Sequence, residues 1–149
     1  MSSELEKALE DIQKELWADY TETVIDHAQN PRNVGRLPNA DGSAIITGPC
    51  GDTMYIWLKV SEGKIKDARF WTDGCGTSIA AGSMVTEMAK GKSVVQASKI
   101  RQQDVLNALG GLPEDSVHCA LLAANTLNTA IKDYLAYKNE PWKRAYRRS

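Results

Sequence analysis

Paired cysteines are the first thing this sequence lacks. Cys50, Cys75 and Cys119 are separated by 25 residues (50 to 75) and 44 residues (75 to 119), and none belongs to a Cys-x-x-Cys pair. That excludes a zinc ribbon and a thioredoxin-type redox motif. An odd cysteine count also argues against a secreted disulfide framework. Charge of one sign is missing too: 18 Lys and Arg stand against 19 Asp and Glu, a formal net charge of −1. The chain as a whole is therefore not built to hold nucleic acid. No apolar run approaches the roughly 20 residues of a membrane span. Residues 1–7 are acidic and carry no apolar stretch of a signal peptide. Internal repeats and low-complexity segments are absent. These absences together predict a protein of the reducing cytoplasm, with neither membrane nor nucleic acid as a partner.

What is present suffices for one ordinary domain over 1–149, with 42% hydrophobic and 25% charged residues, enough to bury a core without staples. Ser3-x-x-Glu6 reads as a capping box, and Leu5, Ala8, Leu9, Ile12 and Leu16 follow at helical spacing, a helical extension over 1–19. Asp19-x-x-Glu22 reads as the start of a second helix carrying Val24 and Ile25 and ending at Asn30-Pro31. Three short strands follow: residues 44–47, 54–60 and 65–72, the last two joined by a hairpin turn at 61–64. Met54, Ile56, Leu58 and Val60 share one face of the second strand.

Beyond Cys75 the pattern is helical. One apolar stripe runs through Ala81, Met84, Val85, Met88 and Ala89, and short helices are expected at Ser93-x-x-Gln96 and Asp104 to Leu109, with Gly110-Gly111 as the stop. A long last helix from about Ser116 is expected to bury Val117, Ala120, Leu121, Ala124, Leu127, Ile131 and Leu135. Strands first and helices later predict an α+β fold, a three-stranded antiparallel sheet with helices packed mainly on one face.

Each cysteine falls at an element boundary. Cys50 lies in the turn between two strands, Cys75 just before a helix, and Cys119 in the first turn of the last one. Unsatisfied N–H groups at a helix start favour thiolate over thiol, so all this placement suits a metal ligand or a sulfur nucleophile. Gly51, Gly74 and Gly76 let the backbone approach a bound group. Asp52 offers a hard oxygen ligand beside soft sulfur, and His118 an imidazole. Taken singly, each has an ordinary explanation: a buried small hydrophobe for a cysteine, a turn residue for Asp52, a helix-start residue for His118. Together, three thiols with Asp52 or His118 as a fourth ligand describe an incomplete metal site. A structural or regulatory zinc domain would use the same residues. A cysteine-nucleophile enzyme would need a base, and only His27 and His118 are available. His118 is next to Cys119 in sequence, which on a helix tends to point its side chain elsewhere.

The sequence resembles the IscU/NifU family of iron–sulfur cluster assembly scaffolds over roughly residues 20–137. The motifs that carry the likeness are Tyr20 to Val24, Asn30-Pro31-Arg32-Asn33-Val34-Gly35, Cys50-Gly51-Asp52, Asp73-Gly74-Cys75-Gly76, Met84-Val85-Thr86-Glu87 with Lys90-Gly91-Lys92, Gly110-Gly111-Leu112-Pro113, and His118-Cys119. The resemblance implies a scaffold rather than an enzyme. Cys50, Cys75 and Cys119 would hold a transient cluster, 2Fe–2S or 4Fe–4S, built with sulfur from a cysteine desulfurase and passed to apo iron–sulfur acceptors or carriers. Asp52 would be a ligand or a release group, and Cys119 the persulfide acceptor. Zinc would enter the same site in purified protein. Relatives that use a dedicated Hsp70-type chaperone carry Leu-Pro-Pro-Val-Lys before His-Cys. Here the stretch is Leu112-Pro113-Glu114-Asp115-Ser116, which speaks against that partner. Residues 138–149 hold Lys138, Lys143, Arg144, Arg147 and Arg148 against Glu140, a basic tail that reads as a solvated end or a docking surface for an acidic partner.

Overall fold

A computed structural model describes residues 2–16, 18–140 and 142. Its centre is a three-stranded antiparallel sheet in the order β1-β2-β3: β1 (Gly42–Thr47), β2 (Thr53–Ser61) and β3 (Lys64–Thr72). Alternation sets the faces. Met54, Ile56 and Leu58 of β2 are fully buried, while Tyr55, Trp57 and Lys59 point the other way. Glu62 and Gly63 join β2 to β3 with φ of 53° and 75°, the pair of positive values that a two-residue type I′ turn demands.

The alternation of β3 is irregular for a physical reason. Lys59 pairs with Asp67 but Val60 pairs with Ile65, so Lys66 is an extra residue, a β-bulge. The bulge turns both Ile65 and Ala68 inward, three positions apart, and Phe70 follows them into the core.

Helices cover the inner face of the sheet. α1 (Ser2–Leu16), α2 (Glu22–Gln29), α3 (Gly76–Ala89), α4 (Val94–Ala97), α5 (Gln102–Leu109) and α6 (Val117–Tyr137) follow in chain order, α6 after one 3₁₀ turn at Glu114–Ser116. α6 packs on β1 and β2, α3 on β3, α2 on α3 and α5 on α6. Small residues let α3 be buried on several sides at once. Gly82 sits under the Phe70 ring, where a Cβ would overlap the ring carbons.

Several local expectations are corrected. α1 begins at Ser2, so Ser3 lies inside the helix rather than capping it. Thr21, not Asp19, caps α2: its hydroxyl oxygen accepts from the Val24 N–H at 3.1 Å and donates to the Leu109 carbonyl at the end of α5. α5 starts two residues before Asp104, whose carboxylate accepts the Arg101 N–H at 2.9 Å. The phase of α6 also differs. Ala120, Ala124, Leu127 and Ile131 are buried as expected, but Leu121 and Leu135 are exposed, and Leu122, Ala123 and Ala130 take their place inside. Packing α6 between α3 and α5 as well as on the sheet rotates the buried arc away from the simplest stripe. Most of the basic tail, 141 and 143–149, lies outside the described residues, as does the side chain of Leu16.

The Asn30–Gly35 segment staples α2 and β3 to α3. Ser83 Oγ accepts the Arg32 N–H at 2.9 Å and lies 2.7 Å from His27 Nδ1. Burial pushes the His27 imidazole below its ordinary value, with the Arg32 charge adding to it. Asn33, at φ 66°, donates to Thr86 Oγ1 (3.1 Å) and Glu87 Oε1 (2.9 Å) and accepts from Lys90 Nζ (3.0 Å). That motif is thus structural: it fixes the seat of α3, and α3 carries Cys75 at its start.

Candidate metal centre

Three segments meet at one end of the sheet. The first is the β1–β2 turn, closed by hydrogen bonds from Gly48 N–H to Asp52 O (2.7 Å) and from Gly51 N–H to Gly48 O (3.0 Å), with Gly51 at φ 89°. It presents Cys50 and Asp52. The second is the end of β3, where the Asp73 carboxylate accepts the Thr53 N–H at 2.8 Å and Gly74 N–H donates to Thr72 Oγ1 at 3.1 Å. It delivers Cys75 as the N-cap of α3. The third is the first turn of α6, with His118 and Cys119.

The side chains form two overlapping trios. The ligand atoms of Cys50, Asp52 and His118 all lie within 4.8 Å of one another, as do those of Asp52, Cys75 and Cys119. Asp52 belongs to both. Cys50 Sγ is 2.6 Å from His118 Nε2, and Cys119 Sγ is 3.7 Å from the same nitrogen. His118 therefore reaches between two of the thiols. This corrects the expectation that its ring would point away from Cys119: in the first turn, beside an open loop, the ring lies back across the helix start.

Two hydroxyls that the sequence reading passed over join the trios. Thr77 Oγ1 lies 3.0 Å from Cys75 Sγ and 3.3 Å from Cys119 Sγ. Ser78 donates to Asp52 Oδ2 at 2.9 Å and lies 3.5 Å from Cys119 Sγ. Gly74 makes room for that arrangement, since a Cβ there would lie 2.5 Å from Ser78 Oγ and 2.8 Å from Asp52 Oδ2. The signal for these residues was positional. Thr77 and Ser78 are the second and third residues of the helix that Cys75 caps, where backbone N–H groups point at the cap side chain.

The thiols differ in exposure and acidity. Cys50 and Cys75 are exposed, while Cys119 is buried. At Cys75 partial burial raises the thiol, but hydrogen bonds from the Thr77 hydroxyl and from the Ser78 and Thr77 backbone outweigh it and hold the thiol below its ordinary value. At Cys119 burial wins: the thiol is pushed up despite the Ser78 and Thr77 hydroxyls, and the charges of Cys75 and Asp52 push the same way. The expectation that a helix start would favour thiolate at Cys119 is thus corrected. A thiolate there needs a cation beside it. The whole set of three sulfurs, one carboxylate and one imidazole suits a thiophilic metal of borderline softness.

Comparison with known proteins finds relatives over most of the chain. The model of the NifU-like N terminal domain matches residues 19–141. The chain is 51% identical over 116 residues to the iron–sulfur cluster assembly scaffold protein IscU 1 of Archaeoglobus fulgidus, covering 77% of this chain and 76% of that one. It is 48% identical over 120 residues to the IscU scaffold protein of Escherichia coli K12, covering 77% and 93%. Among solved structures, a nitrogen-fixing NifU-like protein (N-terminal) from Brucella abortus superposes with a TM-score of 0.63 at 18% identity, over 81% of this chain and 97% of that one. That last likeness speaks to the fold alone.

Proposed function

The chain belongs to the family of NifU-like N-terminal domains and is an iron–sulfur cluster assembly scaffold, and we propose that it builds its cargo on Cys50, Cys75 and Cys119 with Asp52 and His118 beside them. The observation that carries the assignment of residues is the pair of trios hinged on Asp52. We read the two overlapping donor sets as room for two metal ions around one carboxylate, which supports a 2Fe–2S cargo. We place the whole function in one domain over 1–149, with 1–19 a helical extension and 138–149 a basic tail.

Each side chain has a distinct task. Cys75 is reachable and its thiolate is favoured, so it is ready to take iron from solution or a donor. Cys119 is buried under Ser78 and Thr77, so sulfur reaches it only when that shell opens. We keep Cys119 as the persulfide acceptor on those terms. Its thiolate attacks the outer sulfur of a desulfurase persulfide, the S–S bond of the donor breaks, and the donor cysteine leaves as a thiolate. Asp52 is the weakest ligand, a hard oxygen that a proton or an acceptor's thiol displaces, and it opens the way out. A pathway of this kind has a sulfur donor and acceptors. We assign the first to a cysteine desulfurase and the second to apo iron–sulfur acceptor or carrier proteins. No dedicated Hsp70 partner is proposed, because Ser116 stands where the Leu-Pro-Pro-Val-Lys motif has its lysine and Glu114 and Asp115 make the stretch acidic. The reducing cytoplasm suits free thiols, and no described helix is long and apolar enough to cross a membrane.

The zinc reading uses the same donors, and zinc is expected to compete for them in purified protein. It is not favoured as the purpose of the site. Anaerobic incubation with iron, sulfide and reductant tests the proposal. Broad absorbance between about 320 and 420 nm, lost on Cys→Ser substitution at 50, 75 or 119, is expected of thiolate-bound iron–sulfur. A colourless protein that keeps zinc and refuses iron would overturn it. Mass mapping of the sulfur adduct after desulfurase turnover tests the acceptor. An adduct unaffected by Cys119→Ser and abolished by Cys75→Ser would move that role to Cys75.

A further inference from the structure

Cys119 is 1% exposed, and the polar groups around its sulfur stand on three elements. Thr77 Oγ1 at 3.3 Å and Ser78 Oγ at 3.5 Å belong to α3, and His118 Nε2 at 3.7 Å to the first turn of α6. Asp52, with a carboxylate oxygen within 4.8 Å of that sulfur, stands on the β1–β2 turn. The helical groups are held in place. Ser78 is fully buried, and α3 is seated by Phe70 against Gly82 and by Asn33 on Thr86. The turn is the part that can swing. It closes on itself through the Gly48 and Gly51 N–H groups, with Gly51 at φ 89°. It reaches α6 through Cys50, whose Sγ lies 2.6 Å from His118 Nε2. It reaches α3 through Asp52, whose Oδ2 accepts from Ser78 Oγ at 2.9 Å.

Gly74 is fitted around that bond. Its φ does not lie in the left-handed region, so its backbone does not call for glycine. Space does. A Cβ there would lie 2.5 Å from Ser78 Oγ, 2.6 Å from Ser78 Cβ and 2.8 Å from Asp52 Oδ2. A methyl group would push the two partners apart, so the missing side chain keeps open the gap across which the turn and the helix join.

We propose that Ser78 is a positioning residue: its hydroxyl holds Asp52, Asp52 holds the β1–β2 turn over Cys119, and breaking of that bond sets how fast a sulfur donor reaches the buried thiol. The purpose rests on Cys119 being the persulfide acceptor; the latch itself does not. A thiol closed in this way reacts in proportion to the fraction of molecules that are open. Loss of one hydrogen bond to a carboxylate raises that fraction by about tenfold or more.

Timed labelling of metal-free protein with iodoacetamide at one fixed pH tests this, with peptide mapping to read Cys119 and circular dichroism to confirm that each variant is folded. Ser78→Ala removes the donor and Gly74→Ala crowds the bond, and each is expected to speed labelling of Cys119 about tenfold. The direction is decisive. Ser78 Oγ also faces the Cys119 sulfur, and losing a donor to the reactive thiolate by itself slows the reaction. In an Asp52→Ala background, where no latch remains, Ser78→Ala is therefore expected to slow labelling rather than speed it. Unchanged or slower labelling in both single variants would overturn the proposal. So would an equal acceleration by Ser78→Ala with and without Asp52, which would mark simple loosening of the core beside residue 78. Sulfur delivery is read separately, from the mass of the adduct after desulfurase turnover, and its formation on Cys119 is expected to be faster in Ser78→Ala. An adduct on Cys75 in parent and variant alike, with iodoacetamide labelling as expected, would overturn the acceptor assignment while supporting the latch.

Discussion

Cys75 and Cys119 both stand at the start of a helix, α3 and α6, and the two helix starts treat a thiol in opposite ways. At α3 the cysteine is the cap itself, outside the helix, where the Thr77 hydroxyl lies 3.0 Å from an exposed sulfur and the Thr77 and Ser78 backbone favours its thiolate. At α6 the cysteine is three residues past the N-cap position and faces the core side, beside Thr77 and Ser78 of the neighbouring helix. The helix dipole acts at both. The position relative to the cap decides whether it meets solvent or a desolvated pocket. A helix start is therefore no guarantee of a reactive thiol. The cap position supplies directed hydrogen bonds, and the first turn supplies only a field that burial overrides.

The largest effect expected from this contrast is kinetic. In metal-free protein, alkylation of Cys75 should outrun that of Cys119 by about a hundredfold, the factor that a local opening of about 3 kcal/mol gives. The pH profiles should separate in the same direction. Cys75 reacts as its thiolate from a pH below that of a free thiol, and Cys119 only from above it. Peptide mapping after timed quenching reads both. Equal rates would erase the contrast.

A second break lies in the seat of α3. Gly82→Ala drives a methyl group into the Phe70 ring, an overpacking expected to cost about 1–3 kcal/mol. For a chain of this size that lowers the melting temperature by roughly 2–4 °C per kcal/mol. Since α3 carries Cys75, the shift should also reduce the labelling advantage of Cys75 over Cys119. An unchanged melt would mean that the Phe70 ring yields and that α3 is less tightly held than its packing implies.

How far the sequence discloses these two helix starts can be argued residue by residue. The strands were legible because Met54, Ile56 and Leu58 alternate cleanly, and the helix ends because Gly110 takes a left-handed turn that few other residues accept. Cys50, Asp52, Cys75, His118 and Cys119 were legible as a set because their types and settings share one chemistry. The burial of Cys119 was not, because it depends on α6 lying against α3, a contact between segments about 40 residues apart. The bulge at Lys66 was hidden for a like reason: it follows from pairing with β2, not from local pattern. Thr77 and Ser78 read as ordinary helix-start hydroxyls until the fold brings Cys119 and Asp52 to them.

A smaller effect isolates the hydrogen bonds from the field. Thr77→Val keeps the shape of a buried side chain and removes the hydroxyl between Cys75 and Cys119. The labelling profile of Cys75 should move to higher pH, with a severalfold loss of rate at neutral pH. Cys119 loses a favourable contact as well, but its burial already dominates, so its profile should move less. A larger shift at Cys119 than at Cys75 would reverse the account of which helix start depends on directed bonds.

The smallest effect, and the one whose sign decides most, is at Asp52, the group that both trios share. Its carboxylate accepts a hydrogen bond from Ser78 and has an oxygen within 4.8 Å of thiols on either side. Alanine removes a possible ligand, which would shorten the life of a bound cluster. It also removes the one hard, protonatable donor in a set of sulfurs, which would lengthen it. The geometry weighs toward the second effect. His118 already reaches between Cys50 and Cys119, so a fourth donor remains once Asp52 is gone. Asp52→Ala should therefore assemble a cluster, hold it a few times longer in air, and pass it more slowly to an apo-acceptor. Decay of the visible absorbance measures the first, and the rise of acceptor activity the second. Failure to assemble any cluster would make Asp52 an indispensable ligand. Faster loss than in the parent would show that the carboxylate secures the cargo. Either outcome would put the exit route elsewhere, at the exposed side of Cys50 and Cys75.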